Sequence, residues 1–375
     1  MSSTTSLEKA VKSLIITVGC SVVFIPNFSY EPFNPIKMLM LATLSPILLL
    51  MAFPKLHGFT AGKDNILMTY LISIFLLVVV IASFSNKFTW DTIYGDWGRN
   101  LGFLTFFSFL IIFIVIAYGD HMTTSLIQGI YIVFLINLFY AALQTLKLDP
   151  LSWQADSSTF LIIGTLGNSN FLAATFGLGS IIAFAKILEI KSLIIKFKYL
   201  MFISLSLAIS LISNAMQGIG VFASGVVTLL FMHFLKVNIS KFIKISYVSV
   251  VSILSFVALL GVLQLGPLKE ILYQPSISSR GYFWSSSLQV LKNNILFGIG
   301  LDNFGDWYRL YRPLKSLNPN DIDEIADSPH NFLLDIATSF GIFGLLCYLF
   351  ILFLIFYRSI IFLKNTKNRQ GELNL

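Results

Sequence analysis

This sequence predicts an all-α, polytopic membrane helix bundle of about ten transmembrane helices with one large helical external loop, and three observations predict it. Of the 375 residues 56% are apolar and only 11% are charged, where a soluble domain carries about 25% charged residues. Apolar runs recur at the length of about 17–25 residues that spans a bilayer as a helix. Lysine and arginine crowd onto alternate connections, as they do where a chain is threaded back and forth across a membrane.

In chain order the apolar runs are 12–28, 36–53, 65–84, 100–118, 122–146, 168–187, 199–214, 217–236, 244–264 and 341–363. Each has to satisfy its own backbone hydrogen bonds in lipid, which Val/Ile/Leu/Phe runs of this length do as helices. The first follows a short basic region without a small-x-small cleavage site, so it reads as a retained helix rather than a removed signal. With both ends in the cytoplasm, the inside connections hold fifteen of the 25 basic residues and five of the 18 acidic ones. The net charge of +7 then divides into +10 inside and −3 outside, whereas the reverse orientation strands "EIKSLIIKFK" and "KNTKNR" on the wrong face. The basic excess is therefore a topology signal, which excludes a nucleic-acid partner and makes the lipid bilayer the first one. Cys20 and Cys347 fall in the first and last runs and read as packing thiols; two cysteines build neither a disulfide framework nor a zinc site.

Three outside connections are long: 85–99, 147–167 and above all 265–340, and loops of such length are usually functional. The chain thus divides into a bundle over 1–264, an external loop over 265–340 that carries the chemistry, and a last span with its tail over 341–375. Inside the loop, Phe283, Leu288, Leu291 and Leu296 have helical spacing with polar gaps, which predicts an amphipathic helix on the membrane surface. "LNPNDIDEIADSP" reads as a solvated turn, and a helix carrying His330 is expected to begin after Pro329.

Residues chemically out of place in a greasy chain collect on the outer face. His330 is the one histidine in a polar loop; His57, His121 and His233 fall near the inner face, so no histidine cluster can ligate a metal. A lone histidine is often structural, but a neutral imidazole at this position can take a proton from a hydroxyl. Arg280 opens the amphipathic helix and Arg99 sits at the outer mouth of the fourth run. Each reads as a snorkelling anchor or as a guanidinium fork for phosphate oxygens. Arg309 and Arg312 either add to such a clamp or pair with Asp302 and Asp306. In "GTLGNSNFLAATFGLG", Gly177 and Gly179 suit close helix approach, while Asn168 and Asn170 suit a helix cap first and a substrate contact second. "GIG" at 298–300 lacks the strand and helix of a nucleotide fingerprint. "DID" at 321–323 continues into Glu324 and Asp327 as an ordinary acidic face.

Taken together, Arg280 and Trp284 opening an outer-face helix, then "LFGIGLDNF", a polar stretch and "SPHNFLLDIATSFGIFGLLCYL" resemble the O-antigen ligase and polymerase family of bacterial inner-membrane proteins. "GTLGNSNFLAA" and "GRNLGFLT" are similar to segments of that family, and the resemblance is strongest over about 160–350. It implies a GT-C-type glycosyltransferase working on the periplasmic face without cofactor or metal. The donor it implies is a glycan on undecaprenyl pyrophosphate, and the acceptor a hydroxyl on lipid A core, another glycan or a protein. It gives His330 the place of the general base or acceptor-orienting group and Arg280 that of the pyrophosphate ligand. Many members carry Ser-Arg-Gly at an outer turn where this chain reads "SNAMQGIG", so Gln217 stands at the arginine position and the missing contact shifts toward Arg99. Asn168, Arg309 and Arg312 complete the expected substrate contacts. Within the family, repeat-unit polymerase and protein O-oligosaccharyltransferase are the alternatives. A polysaccharide transporter is disfavoured by the absence of an internal repeat and of midplane charges, and the missing arginine keeps a non-catalytic scaffold open.

Overall fold

In a computed structural model, the described residues are 2–24, 33–54, 63–85, 89–118, 122–151, 162–236, 239–262, 265–268, 275–316 and 325–372. Among them the regular structure is helical, with no strand. The helices are α1 (Ser2–Gly19), α2 (Ser21–Phe24), α3 (Asn34–Ala52), α4 (Lys63–Ser85), α5 (Trp90–Tyr94), α6 (Phe103–Tyr118), α7 (Met122–Thr145) and α8 (Ser169–Glu189). They continue with α9 (Leu193–Ile212), α10 (Gln217–Lys236), α11 (Lys241–Val262), α12 (Pro275–Asn293), α13 (Phe304–Tyr311) and α14 (Phe332–Glu372). Each of the ten predicted runs contains a helix, and among the described residues eight helices are long and apolar enough to cross a membrane. The chain is a multi-pass helical membrane protein. Of the other two runs, α6 has only 16 residues, and α1 starts early enough to include Glu8, Lys9 and Lys12.

The chain forms two compact units, Met1–Leu56 with Ser108–Val248, and His57–Phe107 with Ser249–Leu375. In the first, α8 packs on α9 and α10, and α1 on α3 and α7. The glycines explain how closely α8 and α10 meet. A Cβ at Gly177 would lie 2.5 Å from the Gly218 carbonyl oxygen, and one at Gly218 would lie 2.3 Å from that of Ala173. Gly179 gives the same room to Phe134, at 2.6 Å.

In the second unit Phe75, Phe106 and Phe340 join α4, α6 and α14 around Val78, Val79, Ala82, Leu301 and Ile336. The last helix is broken at Gly341 (φ 66°, ψ −166°). A break in a helix frees carbonyls that need donors, and the turn "LFGIG" supplies them. Ile299 N–H donates to Thr338 O and Gly300 N–H to Ser339 O, both at 2.9 Å, while Ile342 N–H donates to Ile295 O at 2.7 Å. Only glycine fits at either side of this interlock: a Cβ at Gly298 would meet Thr338 O at 2.3 Å, and one at Gly341 would meet Leu296 O at 2.2 Å.

Two local expectations change. α14 begins at Phe332, so His330 precedes the helix rather than riding on it, and Asn331 is the cap, its side-chain oxygen accepting from the Leu333 and Leu334 N–H groups. On α12 the buried residues are Ser286, Ser287 and Val290, while Leu288 is exposed, as is Leu296 in the turn beyond the helix. The serines pack dry because each hydroxyl donates to the carbonyl four residues back, Ser286 to Tyr282 and Ser287 to Phe283.

Candidate functional site

The site is built in the second unit from three turns that all use left-handed backbone. Gly95, Gly98 and Asn100 have positive φ in the first, Gly298, Gly300 and Asp302 in the second, and His330 (φ 49°) in the third. Asp, Asn and His are the side-chain-bearing residues that tolerate this region best. The first turn wraps the Asp302 carboxylate, whose Oδ2 accepts from the N–H groups of Asp96 (2.9 Å) and Leu101 (3.0 Å). No side chain fits at Gly95, where a Cβ would stand 2.6 Å from that same oxygen.

Arg99 is gripped on all sides. Its Nε lies 3.1 Å from Asp302 Oδ1, an ion pair without hydrogen-bond alignment. Nη2 donates to Asp335 Oδ2 at 3.1 Å, and Nη1 donates to the Asp327 carbonyl. Asp302 is enclosed, with its side chain 1% exposed. Burial pushes its carboxyl up to about 6, opposed by Arg99 and by the Leu101 and Asp96 N–H groups.

His330 meets α12 directly. Arg280, Phe283, Trp284 and Ser287 share one face of that helix by their i, i+3, i+4 and i+7 spacing. From this face the Phe283 ring lies 5.5 Å from the imidazole, and Trp284 Nε1 donates to Pro329 O at 3.1 Å. Ser328 Oγ is 3.5 Å from His330 Nδ1. Loss of water around the ring draws the imidazole below its ordinary pKa, as do the charges of Arg280 and Arg99, while Asp327 and Asp335 pull the other way. Beneath the loop, Phe304, Tyr308, Val290, Ile299 and Ala326 form a small core that Phe283 joins edge-on to Tyr308.

Beside this lies a cleft of about 170 Å³ lined by Asp91, Asp96, Asp302, Asp306, Asp327 and Arg309, among others. Burial raises the Asp96 carboxyl, the Trp97 N–H lowers it, and the charges of Asp306, Asp91 and Asp327 raise it further.

The structure thus brings Arg280 and Arg99 each within electrostatic reach of His330 and places Arg309 in the acidic cleft wall. Arg312 ends α13, its N–H donating to Tyr308 O at 2.8 Å. Asn168 and Gln217 belong to the first unit, where both are exposed. Asn168 caps α8 through the N–H groups of Asn170 (2.8 Å) and Phe171 (3.4 Å), and Gln217 opens α10. His57, His121 and the acidic pair Asp321 and Asp323 lie outside the described residues. Among the described residues no group of three or more His, Cys, Asp or Glu is arranged to hold a metal ion. Sequence reasoning missed Asp335, although an acid inside the run "FLLDIATSF" is the kind of membrane-edge charge that flags function.

The sequence model of the O-antigen ligase family matches residues 157–349 of this chain. No curated protein and no solved structure gives a match.

Proposed function

The chain belongs to the O-antigen ligase family, and we propose that it passes a glycan from undecaprenyl pyrophosphate to an acceptor hydroxyl, such as one on lipid A core, at the periplasmic face of the bacterial inner membrane. Membership supports an O-antigen ligase or polymerase type of membrane glycosyltransferase with lipid-linked glycan substrates. The orientation rests on the division of charge, +10 against −3, which leaves the 265–340 loop outside.

The observation that carries the reading is the pairing of Arg280 and His330 through one face of α12. His330, held neutral by the loss of water around its ring and by nearby guanidinium charge, takes the proton of the acceptor hydroxyl. The hydroxyl oxygen bonds to the anomeric carbon from the face opposite the lipid. The bond from that carbon to the pyrophosphate oxygen breaks, and undecaprenyl pyrophosphate leaves with the electron pair, inverting the anomeric centre. Arg280 receives the growing phosphate charge with its planar fork. Pyrophosphate is a good leaving group, so placing two substrates and neutralising charge is most of the task.

Turnover per folded molecule, measured with lipid-linked glycan isolated from bacterial membranes, tests this. His330→Ala should lose about 10²–10⁴-fold while still binding undecaprenyl pyrophosphate. His330→Gln should be equally slow, and Arg280→Lys should recover little of what Arg280→Ala loses. Full turnover in His330→Gln would make the residue an orienting group instead of a base. Full turnover in Arg280→Ala would remove Arg280 from the donor site.

A further inference from the structure

The Arg99 guanidinium holds the chain on both sides of His330, at the Asp327 carbonyl three residues before it and at the Asp335 carboxylate five residues after it. Asp302 anchors the same guanidinium from the second turn, and that aspartate is fixed in turn by two backbone N–H groups. Between the two grips the chain passes through Pro329, whose carbonyl is tied to Trp284, and through His330 in a left-handed conformation. We propose that Arg99 is a positioning residue for His330, clamping the loop so that the imidazole is presented to the acceptor. The proposal rests on the reading of His330 as the base.

The geometry argues against a second phosphate ligand at Arg99. Nη1 and Nη2 donate to protein acceptors, and Nε lies 3.1 Å from Asp302 Oδ1 in an ion pair. A guanidinium between two carboxylates, with Asp327 close by, offers no net positive charge to a pyrophosphate. Arg280, on the α12 face toward His330, is the arginine that can supply it.

The test uses the full chain in lipid nanodiscs and reads two things, hydrogen exchange over 325–335 and the separate kcat and donor KM with isolated lipid-linked glycan. Arg99→Gln should speed exchange in 325–335 about tenfold or more while leaving 275–293 unchanged, because the ties of Arg99 run to the loop, Asp302 and Asp335 and not to that helix. It should lower kcat about 10²-fold, the usual cost of a small misplacement, with donor KM within about twofold. Arg99→Lys, which keeps the charge and one contact, should fall between. A raised donor KM with unchanged kcat would make Arg99 a donor ligand and overturn the proposal, as would unchanged exchange.

Should Arg99→Gln fail to fold, Asp335→Asn keeps the shape and removes one grip. The groups facing His330 are Asp327, Arg280, Arg99 and Asp335, of which the two acids raise its pKa. Losing Asp335 should therefore shift the acidic limb of the kcat profile to lower pH as well as reduce kcat. An unmoved limb with unchanged kcat overturns the clamp. A wild type that does not turn over lipid-linked glycan fails the functional reading, and the exchange result then decides the clamp by itself.

Discussion

Two turns lead the chain into membrane helices through an asparagine cap, at 162–168 before α8 and at 325–331 before α14, and they are held by opposite means. The first is tied by neutral amides. Gln144 Oε1 accepts from the N–H groups of Ile163 (3.0 Å) and Gly164 (2.9 Å), and Asn137 Oδ1 accepts from that of Thr165 (2.9 Å). The second is tied by the Arg99 guanidinium and the carboxylates that hold it. Neutral ties satisfy buried backbone directly, with charge one step removed at Asp149, which accepts from the Gln144 amide at 2.9 Å, and this suits a scaffold. Charged ties set the protonation of whatever they enclose, which suits a turn that carries His330.

Gln144→Ala would test the neutral turn most severely. It orphans two buried N–H groups, each at about 1–3 kcal/mol, and should appear as a large loss in denaturant unfolding of the detergent-solubilised chain. Turnover of the molecules that remain folded should be unchanged. A fall in turnover per folded molecule would break the comparison by making the neutral turn part of the site.

The caps give a smaller and more direct contrast. Asn168→Ala and Asn331→Ala should each cost about 1 kcal/mol of stability, yet only the second should slow turnover, because it alone fixes the chain next to His330. Equal losses of turnover would mean that Asn168 touches substrate.

The apolar runs were legible because about twenty consecutive greasy residues allow few other structures. Arg280 and His330 were legible as chemical oddities, and the i, i+3, i+4 spacing of Arg280, Phe283 and Trp284 contained their shared face. The ties of Arg99 were not legible, since 203 residues separate it from Asp302 and 236 from Asp335. No local pattern encodes such a pairing, and Asp302 read equally well as a partner for Arg309 or Arg312. The buried serines of α12 misled the apolar count, because a hydroxyl bonded to its own helix packs as a small hydrophobe.

A pH-dependent effect belongs to Asp302. Its raised carboxyl favours the protonated form in the folded chain, so its contribution to stability is full below the ordinary carboxylate range and is lost as pH rises through about 6. Asparagine cannot ionise. The melting temperature of Asp302→Asn relative to wild type should therefore climb by about 1–3 °C as pH is raised across that window. A constant difference would place the Asp302 titration elsewhere.

Arg99 also closes a circuit in the chain. The polypeptide leaves the site at Asp302 and returns to it at Asp327, and both ends are fastened to the same side chain. Residues 303–326 are thereby a cassette on a fixed stem. Doubling the length of a flexible closed loop adds only about 0.6 kcal/mol of closure entropy, so length can be added to the cassette at little cost as long as Phe304, Tyr308 and Ala326 keep the small core that supports Phe283 beside His330. On the proposed reading, acceptor preference can then change through added length while the bond-making residues stay in place, because neither fastened end has to move.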